Sequence, residues 1–286
     1  MQTPFDHKMI EVNGIQMHIT HAGPEVGPTV ILLHGFPEFW YGWRQQIPAL
    51  AKAGLHVVAP DQRGYNLSAK PKGAGAYTLD QLADDVLGLI KHFGSPHVYL
   101  AGHDWGAAVA WWVALKHPDR IRKLAILNVP HPAVMRRHLL GNPVQLLRSW
   151  YMFFFQIPWL PEWLISRKDH SAAVRMLQAS SRPGTFSPRD LSAYRSAWSR
   201  TGAWKSTIHW YRALFQNANQ PLPSLRVRIP TMILWGKQDL ALSFKMAHES
   251  LDLCDDAHLH VFENASHWVQ HDEAHSVNQL LVNFFR

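Results

Sequence analysis

The pentapeptide Gly102-His103-Asp104-Trp105-Gly106 sets one carboxylate between two glycines, after a short apolar run and before a helical one. Small residues at those positions permit the sharp strand-to-helix turn that lifts a nucleophile clear of the backbone. The same pattern also fits an ordinary helix start whose Asp accepts from backbone amides. Two distant residues weigh against that plainer reading. Asp239 follows the apolar run Thr231 to Trp235, and His267 follows the run ending at Phe262, giving the chain order nucleophile, acid, histidine. Each sits in a loop after a strand, the edge where open parallel sheets hold ligands.

An Asp nucleophile restricts the reaction. A serine displacing a group from saturated carbon would form an ether, which an activated water does not hydrolyse. A carboxylate forms an ester, open to attack at its carbonyl carbon, so Asp104 suits alkylation followed by hydrolysis. His267, oriented by Asp239, would be the base for the water. Backbone N–H groups of Trp105 and of Phe36, in the loop His34-Gly35-Phe36-Pro37, are placed to hold the tetrahedral oxyanion. His34 and His103 adjoin these groups as hydrogen-bonding support. The leaving group is either an alkoxide or a halide. An alkoxide needs a proton donor, and Tyr151 and Tyr211 are candidates, since both lie in aromatic helical sequence. An arbitrary tyrosine of that region, such as Tyr194, is expected only to pack.

These groups need a scaffold that brings strand ends together. Alternating segments at Lys8 to Val12 and Ile15 to His21, joined by Asn13-Gly14, read as a hairpin with a type I′ turn. Apolar runs at Thr29 to Leu33, His56 to Ala59, Val98 to Ala101, Leu124 to Leu127, Thr231 to Trp235 and His258 to Phe262 read as strands, most of them buried. Helical stretches at Trp43 to Ala53, Leu79 to Phe93, Asp104 to Lys116, Leu242 to Leu251 and Glu273 to Phe285 alternate with them. The class is α/β, with a mostly parallel sheet and helices on both faces. The alternation lapses after Asn128 and resumes near Ile229. The chain therefore divides into a first part of the core (1–128), an inserted helical cap (129–228) and a second part of the core (229–286). Prolines flank the insertion, and Ser187 to Thr201 is one of its helices.

The segments His34-Gly35-Phe36-Pro37-Glu38-Phe39-Trp40-Tyr41-Gly42-Trp43-Arg44, Asp61-Gln62-Arg63-Gly64-Tyr65 and Gly102-His103-Asp104-Trp105-Gly106 resemble those of α/β-hydrolase-fold epoxide hydrolases. The resemblance covers nearly the whole chain. It takes in single-domain bacterial and plant members and the hydrolase domain of the mammalian soluble enzyme. It implies two cap tyrosines on the epoxide oxygen, matched by Tyr151 before Phe155-Gln156-Ile157-Pro158 and by Tyr211 in Trp210-Tyr211-Arg212. It also implies a cis bond before Pro37, a pocket lined by Phe36, Trp105, Met152, Phe155 and Trp268, and no cofactor. Met152 stands where the mammalian enzyme has Gln, and Asn66 replaces the Gly usual after Arg-Gly-Tyr. A dehalogenase would share the triad, but haloalkane dehalogenases resemble His-Gly-Asn-Pro where this chain has Phe36, and fluoroacetate dehalogenases resemble Asp-Arg-Gly where it has Trp105. A non-enzymatic binding module on the same fold is the third reading, and it would be expected to have lost part of the triad or the tyrosine pair.

The resemblance implies a small hydrophobic epoxide and water as partners, and composition excludes others. The net charge of +7 is dispersed, the densest runs being Arg120 to Lys123 and Arg136-Arg137, so no nucleic-acid surface is expected. Thirteen Trp are read as a large aromatic pocket. The most apolar stretch, Trp150 to Leu164, is shorter than a bilayer span and broken by Gln156, Pro158 and Pro161, so no stable membrane insertion is expected. The sole cysteine, Cys254, cannot form an intrachain disulfide and reads as a packing residue. No signal peptide is recognisable, and a cytoplasmic location is the default. His170, His248, His258, His260 and His271 lack metal-ligand spacing and are taken as dispersed surface residues. Asn128 cannot be the charged partner of His267.

Overall fold

The computed structural model describes residues 5–286. Its strands are β1 (Asp6–Val12), β2 (Ile15–Ala22), β3 (Thr29–Leu33), β4 (His56–Pro60), β5 (Val98–His103), β6 (Ile121–Leu127), β7 (Thr231–Gly236) and β8 (Ala257–Phe262). They form one sheet in the order β1-β2-β4-β3-β5-β6-β7-β8. β3 to β8 run parallel; β1 and β2 add an antiparallel hairpin at one edge. The hairpin turns on Asn13 (φ 47°) and Gly14 (φ 73°), both in the left-handed region a type I′ turn requires.

Strand order explains where a site can form. From β3 the chain moves to β4 on one side, whereas from β5 it moves to β6 on the other. The loops leaving β3 and β5 therefore diverge and open a crevice at the carboxyl edge of the sheet. Phe36 follows β3 and Asp104 follows β5, one on each side of that crevice.

Successive strand residues face opposite ways, and so divide between two apolar layers. Val30 and Leu32 pack with helices α1 (Gln46–Lys52) and α12 (Ala274–Phe285). Ile31 and Leu33 pack on the other face with α2 (Leu79–His92) and α3 (Trp105–Lys116). α3 is buried on nearly every side, as its continuous apolar sequence requires. α1 starts later than the expected Trp43. Pro48 is tolerated only in a first turn, and residues 40–43 form a separate 3-10 turn.

Between β6 and β7 lie six helices: α4 (Pro132–Gly141), α5 (Pro143–Arg148), α6 (Trp150–Phe154), α7 (Leu160–Ser180), α8 (Pro188–Trp198) and α9 (Ala203–Gln216). α8 opens with a capping box between Ser187 and Asp190. α7 is two helical stretches joined by a left-handed turn at Lys168, Asp169 and His170 (φ 49°, 51° and 57°). α10 (Lys245–Leu251) and α11 (Val269–Asp272) complete the second part of the core.

Two compositional expectations need correcting. The tryptophans do not mainly line a pocket: Trp43, Trp111 and Trp235 fill the core, and Trp150, Trp159 and Trp163 are exposed. Nor are all five unassigned histidines on the surface. His170 is buried and accepts from Trp204 Nε1 at 3.0 Å, and His271 is buried against Glu38. In each case a distant hydrogen-bond partner offsets the cost of burying a ring nitrogen. Cys254 is buried, as expected of a packing residue.

Candidate active site

Asp104 stands at the N-cap of α3, but its side chain makes no capping hydrogen bond. Its backbone sits at φ 50° and ψ −124°, and its carboxylate accepts the Phe36 amide on Oδ1 at 2.6 Å. The neighbouring glycines make this conformation accessible. A Cβ on Gly106 would lie 2.1 Å from the Leu33 carbonyl oxygen, one on Gly102 2.4 Å from that of Gly106, and one on Gly35 2.3 Å from Asp104 Cβ. The turn is thus pressed against β3, and the loop after β3 against the carboxylate. The Phe36–Pro37 bond is cis, as the resemblance implies. Of the two backbone donors expected for Asp104, the Phe36 amide is in contact. The Trp105 amide opens α3 and makes no hydrogen bond to this carboxylate among the described residues.

The acid and the histidine arrive from the next two strand ends. His267 places Nε2 3.4 Å from Asp104 Oδ2 and Nδ1 2.7 Å from Asp239 Oδ2. Asp239 is fixed further by the Ala241 and Leu242 amides on Oδ1 at 2.8 and 2.9 Å, and by Asn128 Nδ2 on Oδ2 at 2.8 Å. Burial raises the Asp239 carboxyl, but the charge of His267 and these donors bring it below its ordinary range. For His267, burial pushes downward. The Asp239 charge and the hydrogen bond and charge of Asp104 outweigh it, raising the imidazole to about 10. The resting histidine is therefore protonated at neutral pH.

The tyrosines come from the inserted helices. Tyr151 on α6 and Tyr211 on α9 meet edge to face at 5.9 Å, and Tyr211 also packs on Trp105 at 5.1 Å and Phe36 at 5.3 Å. Burial, then the Asp104 charge, raises both phenols far above their usual range, so each remains a proton donor. The two sequence elements that carry them are latched together. Gln156 Nε2 donates to the Met152 and Tyr211 carbonyls, and Arg212 donates to those of Phe155 and Ile157 while pairing with Glu162. Met152 and Phe155 are buried, and Phe155 stacks edge-on with Tyr211 at 4.9 Å. Trp268 stands perpendicular to His267 at 5.3 Å, with its indole N–H on Ser180.

His34 accepts the Gln62 amide on Nε2, and the Nε2 of His103 meets the His267 carbonyl at 2.9 Å. Neither ring hydrogen-bonds the Asp104 carboxylate. Glu38 escaped the sequence reading. It is fully buried, and it accepts from Tyr194 Oη (2.5 Å), His271 Nε2 (2.7 Å) and Gln270 Nε2 (3.1 Å), with His103 Nδ1 at 3.4 Å. Arg44 Nη1 lies 3.1 Å from His271 Nδ1. Burial alone would raise the Glu38 carboxyl; its histidine neighbours hold it well below the ordinary range. Tyr194 thus does more than pack, since it ties α8 to the loop after β3. Asn66, at φ 38°, accepts Arg200 and donates to Asp61, tying the insertion to the loop after β4.

Residues 28–274 match the family model of the alpha/beta hydrolase fold. Human epoxide hydrolase 4 is 37% identical over 97% of this chain and 77% of its own length. The chain belongs to the epoxide hydrolases of the α/β-hydrolase fold. An AB hydrolase superfamily protein of Bacillus subtilis, YfhM, is 42% identical to this hydrolase over 98% of the chain and 97% of its own length. A solved epoxide hydrolase of Bacillus megaterium, in complex with an inhibitor, superimposes with a TM-score of 0.89 at 32% identity, covering 97% of this hydrolase and 99% of that chain. No group of three or more His, Cys, Asp or Glu that could hold a metal ion occurs among the described residues. No helix among them is long and apolar enough to cross a membrane.

Proposed function

We propose that this hydrolase opens epoxides to vicinal diols through an ester on Asp104, with α4–α9 acting as a cap that delivers the acid groups. The observation that carries the reading is the pair of phenols packed together, Tyr151 on Tyr211 and Tyr211 in turn on the Phe36 and Trp105 rings beside the Asp104 carboxylate.

Asp104 attacks one ring carbon. The C–O bond breaks, and the oxygen takes a proton from a tyrosine, so no bare alkoxide forms in an apolar pocket. Alkylation turns Asp104 from an anion into a neutral ester. The histidine then loses two of the influences that raise it, the charge and the hydrogen bond of Asp104, and its proton affinity falls, so the imidazolium releases its proton and the tyrosinate left by ring opening regains one. Neutral His267 can take a proton from water, which attacks the ester carbonyl. The oxyanion that develops is met by the Phe36 amide, already 2.6 Å from Oδ1, and by the Trp105 amide. Collapse releases the diol and regenerates the carboxylate. His34, His103, Gly35 and Pro37 position these groups, and Phe36, Trp105, Met152, Phe155 and Trp268 shape an apolar pocket. The reaction needs no cofactor.

Halide release from the same triad would need no proton donor. Styrene oxide and a haloalkane, assayed side by side for diol and free halide, separate the two. Diol without halide is the expected result, and halide release with no diol would overturn the reading.

A further inference from the structure

Ten of the sixteen large apolar side chains exposed among the described residues fall within positions 140–164, from the end of α4 through the link between α6 and α7 into the start of α7. Leu140 is 80% exposed, Leu147 74%, Trp159 71%, Trp150 63% and Trp163 47%. Scattered exposed apolar residues are ordinary, but a concentration of this kind marks a surface meant to be covered. The neighbouring charges indicate by what. Positions 132–180 hold six Lys or Arg against two Asp or Glu, a net charge of +4. Both acids are already engaged, Glu162 with Arg212 and Asp169 with Arg195. Of the six cations, Arg137 alone has a carboxylate partner among the described residues, Glu249. Arg148 lies between Leu147 and Trp150 in the chain, and Arg167 stacks over the Trp163 ring at 4.3 Å.

We infer that this face docks the protein onto an anionic lipid surface. Indole rings and leucines suit the interface between headgroups and acyl chains, and unpaired Arg and Lys beside them suit lipid phosphates. A second copy of the chain fits less well, because a two-fold contact through this face would bring one net +4 stretch against another. The docking is peripheral. Orientation follows from α6, whose Trp150 and Phe153 point outward while Met152 is buried and Tyr151 half-buried on the same helix. An apolar compound dissolved in the bilayer would then arrive beside the helix that carries Tyr151. Docking is independent of the reaction assigned to Asp104, and vesicle binding and turnover are read separately.

The test is co-sedimentation of the intact protein with vesicles of phosphatidylcholine, or of phosphatidylcholine and phosphatidylglycerol at three to one, with Trp emission followed in parallel. Binding to the anionic vesicles with a blue-shifted emission is expected. A Trp159→Ser/Trp163→Ser variant, and separately an Arg136→Glu/Arg148→Glu variant, should each weaken that binding by about tenfold or more, with circular dichroism and styrene oxide turnover in vesicle-free buffer unchanged. Absence of binding to both vesicle types would overturn the inference, as would equal binding to both that survives charge reversal. A concentration-dependent dimer abolished by Trp159→Ser/Trp163→Ser, without lipid binding, would assign the face to a second copy instead.

Discussion

The carboxylate–histidine half of the site and its tyrosine half are held by different means. Asp104, Asp239 and His267 each follow a strand of one sheet, and backbone contacts fix them. Asp104 is wedged by glycines against β3, and Asp239 accepts two amides and the Asn128 side chain. Tyr151 and Tyr211 are held by ring packing and by the latch between Gln156, Arg212 and the facing carbonyls. The two tyrosines also differ from each other. α9 has 14 residues and is tied to the loop after β4 by Trp210 on the Arg63 carbonyl and Ser206 on that of Gly64. α6 has five residues, and its outward rings Trp150 and Phe153 stay largely exposed, with Phe153 resting edge-on against Phe215. On the proposed mechanism, the steps that require fixed geometry, nucleophilic attack and water activation, fall to the sheet edge, and the step that must follow different substrate shapes, proton donation, falls to the insertion.

That division is tested most severely by removing both donors. The double substitution Tyr151→Phe/Tyr211→Phe should nearly abolish alkylation, because the ring oxygen must then leave as an unshielded alkoxide. Either single substitution leaves one donor and should slow alkylation by about ten- to a thousandfold. Pre-steady-state Trp fluorescence resolves alkylation from hydrolysis, and a double variant that alkylates at the wild-type rate would break the comparison.

His267→Gln should act on the other half-reaction alone. Turnover is expected to fall by about a thousandfold while alkylation persists, so intact mass should rise by the mass of the epoxide. No adduct, in a variant shown to remain competent for alkylation, would remove His267 from the hydrolytic step. A smaller effect of the same origin is expected in the unaltered protein. Hydrolysis needs neutral His267, and in the ester state the Asp239 charge still raises its proton affinity, so the ester should accumulate as pH is lowered and be cleared faster as pH rises. Ester clearance independent of pH would contradict the assignment.

The triad was legible because each member lies beside a strand end that a short apolar run announces, and the elbow glycines are adjacent to Asp104 in the chain. The insertion was legible as a lapse in strand–helix alternation, and its two tyrosine elements by motif. The role of Glu38 was not legible. Its partners lie 156 to 233 residues away, at Tyr194, Gln270 and His271, and no local pattern forecasts which buried polar groups will converge. Asn128 shows the same limit. It could be excluded as the acid, yet its contact with Asp239 spans 111 residues. The burial of His170 and His271 and the exposure of Trp150, Trp159 and Trp163 reverse what composition implies, because burial depends on which partners the fold supplies.

The central claim, that Asp104 itself becomes esterified, is tested most directly by one turnover in heavy-oxygen water with enzyme in excess over epoxide. Water attacks the ester carbonyl, so label is expected in the Asp104 carboxylate, readable by mass spectrometry of the peptide that contains it, and the diol should carry the unlabelled carboxylate oxygen. Label confined to the diol, with none on Asp104, would contradict the account.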